Sequence, residues 1–176
     1  MTLGTYYPEL SDRRRLLALA RAGVDLQIER PYLTEIVESV TDRMDTPFAV
    51  ISVLLDGAQV FLAGVGPIPA WIGEAGGTPI EWAFCLPMLR SRAGWFVGDF
   101  ATEPDHRENP LVTVEGVRSY IAAPLIMSNG HVVGGLCGLD VRPREFGEGQ
   151  LCVLQDLADE AVRRIEARAE PDIMEP

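Results

Sequence analysis

The most constraining stretch of the chain is a pair of apolar runs joined by Asn129-Gly130. The runs are Ser119-Tyr-Ile-Ala-Ala-Pro-Leu-Ile-Met127 and His131-Val-Val-Gly-Gly-Leu-Cys-Gly-Leu-Asp140, each of strand length. Asn-Gly between such runs predicts a β-hairpin with a tight turn whose two residues both take positive φ. Pro124 has no N–H to give to a ladder, so the first strand is expected at a sheet edge or bulged at that point. Gly134, Gly135 and Gly138 lie inside the second run with no helix opening after them. They predict close backbone packing or a bulge, and they do not read as a nucleotide-binding fingerprint.

The rest of the chain supplies partners for this hairpin. Leu10 to about Arg21 reads as a helix, with Ser11 or Asp12 near its start and Gly23 weakening its end. Pro31 suits a first helical position, and Leu33, Ile36, Val37, Val40 and Met44 follow at spacings that bury one helix face. Phe48 to Leu55 and Gln59 to Val65 read as strands turned by Asp56-Gly57. Gly66 to Pro79, with four glycines and three prolines, reads as a loop whose Trp71 covers a neighbour. Ile80 to Arg90 reads as a short helix, Trp95 to Val97 as a strand, and Gly98 to Pro110 as a polar loop. A last helix runs from Glu148 or Gly149 to about Ala169. Its Leu151, Leu154, Ala158, Ala161 and Ile165 have the spacing of a coiled-coil seam, which packing on the chain's own sheet serves equally well. The order of elements predicts an α+β fold. Residues 1–30 form an arm and helix, 31–169 one domain, and 170–176 a flexible tail.

Composition narrows the function. A net charge of −11, with arginine as the sole strongly basic residue type and no lysine, argues against a nucleic-acid partner. No run approaches the length of a membrane span and no secretion signal is evident. Three widely spaced cysteines, Cys85, Cys137 and Cys152, do not form a disulfide framework, so a reduced cytoplasmic setting is expected.

Several spaced motifs, in order, resemble those of a GAF domain. They are Phe84-Cys85, Gly98-Asp99, the Asp105 to Pro110 loop, Val117-Arg118-Ser-Tyr120, Pro124-Leu125, Gly135-Leu-Cys137 and Asp140 to Arg144. The resemblance covers roughly Pro31 to Arg164. It implies a central antiparallel sheet of five to six strands. The N- and C-terminal helices lie on one face, and a helix/loop crossover, Ile80 to Arg118, encloses a pocket on the other.

An enzymatic role is not expected. The chain has no serine elbow, and without lysine it has no phosphate loop. His106, beside Asp105 and Glu108, does not make a metal site, because three adjacent loop residues do not converge on one ion. Some GAF proteins reduce free methionine-(R)-sulfoxide with a nucleophilic cysteine in the loop before the hairpin. Thr102 to Asn109 has none, so this thiol chemistry stands as the alternative reading, with all three thiols expected to be buried and inert. Asp105 precedes His106 where bilin-binding relatives carry cysteine, the cyclic-nucleotide signature is absent, and His131 at a turn is a poor haem ligand. No cofactor is expected.

What remains is a regulatory domain that binds a small molecule non-covalently, docks on a signalling protein, or does both, and forms a homodimer through its terminal helices. The expected ligand-facing residues are Trp71, Trp82, Phe84, Cys85, Asp99, Asp105, His106, Asn109, Arg118, Tyr120 and Leu139, with Trp71 as a lid. Arg118 and Asp99 are expected to pair. They either pin the loop or address a ligand, and the aromatic side chains either line the cavity or fill it.

Overall fold

In the computed structural model the hairpin forms the fourth and fifth strands across a six-stranded antiparallel sheet of order β3-β2-β1-β6-β5-β4. Residues 6–23 and 29–169 are described. The expected flexible tail at 170–176 and the first five residues of the expected arm lie outside them. The strands are β1 (Phe48–Leu54), β2 (Ala58–Val65), β3 (Gly77–Pro79), β4 (Trp95–Val97), β5 (Ser119–Ile126) and β6 (Val132–Asp140).

The hairpin differs from expectation in its turn. Gly130 has φ +87°, while Asn129 does not enter the left-handed region. The Gly130 N–H donates to the Met127 carbonyl, and the Met127 N–H to His131, so three residues form the loop. The Asn129 side chain accepts from the His131 N–H at 3.1 Å. Asparagine here holds the turn through its side chain, and only glycine supplies the positive φ. Pro124 is also placed differently. β5 is an interior strand, yet β4 pairs it only through Tyr120, Ile121 and Ala122. The proline lies beyond the end of that short partner, where no donor is required of it.

Gly134 shows why the second run needs glycine. A Cβ there would stand 1.9 Å from the Ser52 carbonyl oxygen of β1, and one at Gly135 would meet Met88 Cε at 2.9 Å. The expectation of close packing at these glycines is borne out.

Helices α1 (Arg13–Arg21), α2 (Pro31–Met44) and α6 (Glu148–Glu166) carry the face opposite the crossover. Asp12 caps α1 through the Arg14 and Arg15 N–H groups, and Pro31 stands at the first position of α2. Leu19, Leu33, Val37, Val40, Leu154, Ala158, Ala161 and Ile165 join Ile51, Val53, Ile121 and Leu136 in one core. The apolar stripe of α6 is therefore buried in its own chain and is not free to serve as an intersubunit seam.

The second core lies on the other face. It contains Leu10, Val50, Leu54, Phe84, Cys85, Met88, Phe100 and Tyr120. The crossover above it is more broken than the expected helix at 80–90. A 3-10 turn at Ile80–Trp82 is followed by an extended Ala83 and then by α4 (Met88–Ser91). Pro87 explains the break, since it removes a helical N–H and disfavours helical geometry at Leu86. The expected loop at 66–79 also holds a short helix, α3 (Ala70–Ala75), closed by Gly76 at φ +71°, and then β3. The described part of the expected loose arm is held. Pro8–Ser11 forms a 3-10 turn, Glu9 pairs with Arg90 at 2.9 Å, and the Arg90 guanidinium lies over the Tyr7 ring. Among the described residues, no helix is long and apolar enough to cross a membrane.

Candidate functional site

Strand alternation builds the floor of the site. In β2, Val60 and Leu62 enter the helix-side core while Gln59 and Phe61 face the other way, and Val50 does the same between Ala49 and Ile51 of β1. Tyr120, Cys137 and Leu139 extend this floor from β5 and β6. Over it lies a cavity of about 260 Å³. One wall is Pro67, Ile68, Pro69 and Ile72, running into α3. The other is Phe84 with Leu111, Glu115 and Val117, around the short helix α5 (Pro110–Thr113).

Three expected site residues line this space: Phe84, Tyr120 and Leu139. Trp71 does not line it. Its ring stands edge-on to Trp82 at 5.7 Å, and its Nε1–H donates to Glu115 at 2.9 Å. This hydrogen bond links the two walls, so Trp71 covers a neighbour as expected and bridges the rim. Asn109 is structural. It caps α5 through the Leu111 N–H, and its amide donates to the Trp82 carbonyl at 3.1 Å. Asp105 is solvent-exposed, and Trp82 is half-buried outside the lining.

His106 belongs to an aromatic cluster. Its ring lies 5.8 Å from Phe84, 5.4 Å from Trp95 and 5.7 Å from Phe100. Burial pushes its pKa down, against the opposing pull of Asp105 and Glu103. Phe84 and Phe100 stack at 4.4 Å, and Tyr120 stands 5.2 Å from Phe84. Aromatic side chains thus fill the β4 side of the crossover, while the β1–β2 side stays open. Both expected alternatives for this space hold, each in its own half.

Asp99 and Arg118 pair as expected, with two hydrogen bonds of 2.7 and 2.8 Å. Neither lines the cavity. Their side chains are 25% and 38% exposed, so the pair is half-buried rather than sequestered. Hydrogen bonding from Arg118 holds the Asp99 carboxyl down to about 2. The Phe100 N–H donates to the Arg118 carbonyl and the Arg118 N–H to the Asp140 carbonyl, which fixes the crossover to the sheet.

Cys85 and Cys137 are buried, and burial pushes both thiols up to about 12. Cys85 sits below the lining, where the Gln59 amide donates to Ser52 Oγ at 2.8 Å and approaches Cys85 Sγ at 3.7 Å. Cys137 lines the cavity. Cys152 departs from expectation, since it is exposed on α6. Sequence reasoning missed Gln59, Ile72, Leu111, Glu115 and Cys137 as lining residues. For Gln59 a signal was present, namely the period-two alternation of β2 about its apolar positions.

A model of the GAF domain family matches residues 30–165. A cyclic di-GMP phosphodiesterase of Pseudomonas aeruginosa is 31% identical over 165 residues, covering 90% of this chain. The chain spans 26% of that relative's length. Among solved structures, the GAF domain of an Acinetobacter phosphoenolpyruvate-protein phosphotransferase is similar at a TM-score of 0.64 and 17% identity, covering 91% of this chain and 99% of that one. The type II free methionine-R-sulfoxide reductase of Thermoplasma acidophilum is similar at a TM-score of 0.63 and 14% identity, covering 82% of this chain and 98% of that one. At these identities the two structures speak for the fold alone.

Proposed function

The chain belongs to the GAF domain family, and from that premise we propose that it is a regulatory sensor domain that binds a small molecule non-covalently and passes its occupancy to a signalling protein. The observation that carries this reading is the cavity of about 260 Å³ between the sheet and the crossover. The strands beneath it offer a route for the signal. Val50, Tyr120 and Cys137 face the cavity, while the adjacent Ile51, Ile121 and Leu136 pack against the helix layer. A ligand that favours one strand position over another thereby biases how α2 and α6 sit.

Cyclic di-GMP turnover, the activity named for the Pseudomonas relative, supplies the class of output this reading favours, on the same chain or a separate one. Three unpaired cysteines support a reduced, cytoplasmic setting. Any homodimer through α6 uses its outward face, with Cys152, Asp156, Asp159 and Arg163, since the inward stripe is occupied. We read the chain as non-catalytic. Thiols held at about 12 are poor nucleophiles, and the loop at 102–109 carries no cysteine, which weighs against the sulfoxide-reductase alternative.

Native mass spectrometry of protein purified from its own cells tests this proposal, with small-molecule analysis after denaturation. A bound compound is expected, and a cavity-filling Leu139→Trp variant is expected to lose it. Clean apo protein from cells in several growth states would move the function to protein docking alone.

A further inference from the structure

Among the described residues, the cavity lining carries no cationic side chain. It has no arginine and no histidine, and its one carboxylate, Glu115, already accepts from Trp71 at 2.9 Å. The nearby basic groups are committed elsewhere: Arg118 is paired with Asp99, and His106 is packed among Phe84, Trp95 and Phe100. An anionic ligand would be taken from water into an apolar space with no counter-charge and with Glu115 against it. The lining therefore discriminates against negative charge, since Glu115 keeps its own charge while one of its oxygens accepts from the neutral Trp71 indole.

The polar groups on the floor are nearly all satisfied. The Gln59 amide donates to Ser52 Oγ at 2.8 Å and its carbonyl accepts from Thr78 at 3.2 Å. Tyr120 is the exception. It is 2% exposed and lines the cavity, yet among the described residues its hydroxyl has no hydrogen-bond partner. The hydroxyl is not among the described side-chain atoms sealed in the core without a partner, so it stands open as a donor for whatever enters the space that Tyr120 lines.

From these observations we infer that the cavity takes a mainly apolar molecule that carries no negative charge and offers one hydrogen-bond acceptor to the Tyr120 hydroxyl. The inference rests on the ligand-binding reading above and names its chemical class. Scaled from the apolar cavity of about 150 Å³ that holds benzene, the space admits a body of about ten non-hydrogen atoms.

Two probes of this size decide the matter on the full chain. Quinoline is uncharged at neutral pH and has one accepting ring nitrogen, while 1-naphthoate has a similar body and a negative charge. Quinoline is expected to shift the amide resonances of Val50, Phe61, Tyr120 and Leu139, with naphthoate binding at least tenfold more weakly. Tyr120→Phe is expected to weaken quinoline about fivefold, the equivalent of one ordinary hydrogen bond. Naphthoate binding at the same residues as tightly as quinoline would overturn the charge assignment and leave the cavity as a ligand site. Unchanged quinoline affinity in a folded Tyr120→Phe protein would overturn the acceptor. Failure of quinoline to perturb any lining residue would overturn this inference, and the native mass spectrometry above decides separately whether the ligand-binding reading stands. The probe pair on the unaltered chain stands by itself if the variant does not fold.

Discussion

Asp99 shows how a residue readable in the sequence acquires a different role in space. Its carboxylate accepts from Arg118 Nε at 2.7 Å, from Arg118 Nη2 at 2.8 Å and from the Ala101 N–H at 2.9 Å. The pairing follows from the spaced Asp and Arg motifs. That it holds the crossover down rather than addressing a ligand does not, because the motif does not say which residues the loop turns toward the cavity. The Asp99 pKa is depressed from 3.8 to about 2 in the folded protein. Its stabilisation is therefore fully present above the ordinary carboxylate range and is lost as pH falls from about 4 toward 2. Arg118→Ala is expected to lower the melting temperature modestly at pH 7, since the pair is partly solvated. The gap from the unaltered protein should close on acidification toward pH 2. Thermal melts across this range check it, and a gap that does not change with pH would refute the ion pair as its cause.

At the scale of elements, the α6 stripe had two uses on the page of the sequence and one in the fold. Leu154 and Ala158 are fully buried against the sheet. Leu154→Arg should consequently unfold the chain rather than separate a dimer. Leu154→Ala is expected to cost about 3 to 4 kcal/mol, as a deleted leucine side chain in a packed core does. Urea denaturation measures this, and a loss below about 1 kcal/mol would place the leucine outside the core. The heptad-like spacing could not separate the alternatives, because a sheet and a partner helix both ask for the same apolar face. The crossover was legible in outline only. Its aromatic and apolar residues mark it as buried, but Pro87 breaks it into short pieces that no helical period reports, as the turn at Gly76 does in the loop before it.

For the whole molecule, the thiols report on the cavity without any ligand. Cys152 is exposed, Cys137 lines the cavity, and Cys85 lies beneath it. With the uncharged reagent 4,4′-dithiodipyridine, one thiol is expected to react at once, and the two that burial holds at about 12 far more slowly. Trp71→Phe removes the hydrogen bond to Glu115 that bridges the two walls. It is expected to speed the slow phase severalfold while changing stability by about 1 kcal/mol or less. Three thiols reacting together in the unaltered protein would show the cavity to be open. An unchanged slow phase in Trp71→Phe would show that this bridge does not control access.

The sequence by itself determined the α+β architecture, the hairpin at 119–140, the helical position of Pro31, a cap at Ser11 or Asp12, and the pairing of Asp99 with Arg118. Each rests on local chemistry: a turn residue, a ring nitrogen without a proton, a cap, or two opposite charges on neighbouring segments. The tertiary structure decided which half of the crossover is filled by aromatic rings and which is left open. It also chose the sheet as the partner of the α6 stripe and brought Gln59, Ile72, Glu115 and Tyr120 around one space. These residues come from separate segments with no common period. Their convergence depends on how short, proline-broken pieces settle over a twisted sheet, which is a property of packing and not of any local pattern.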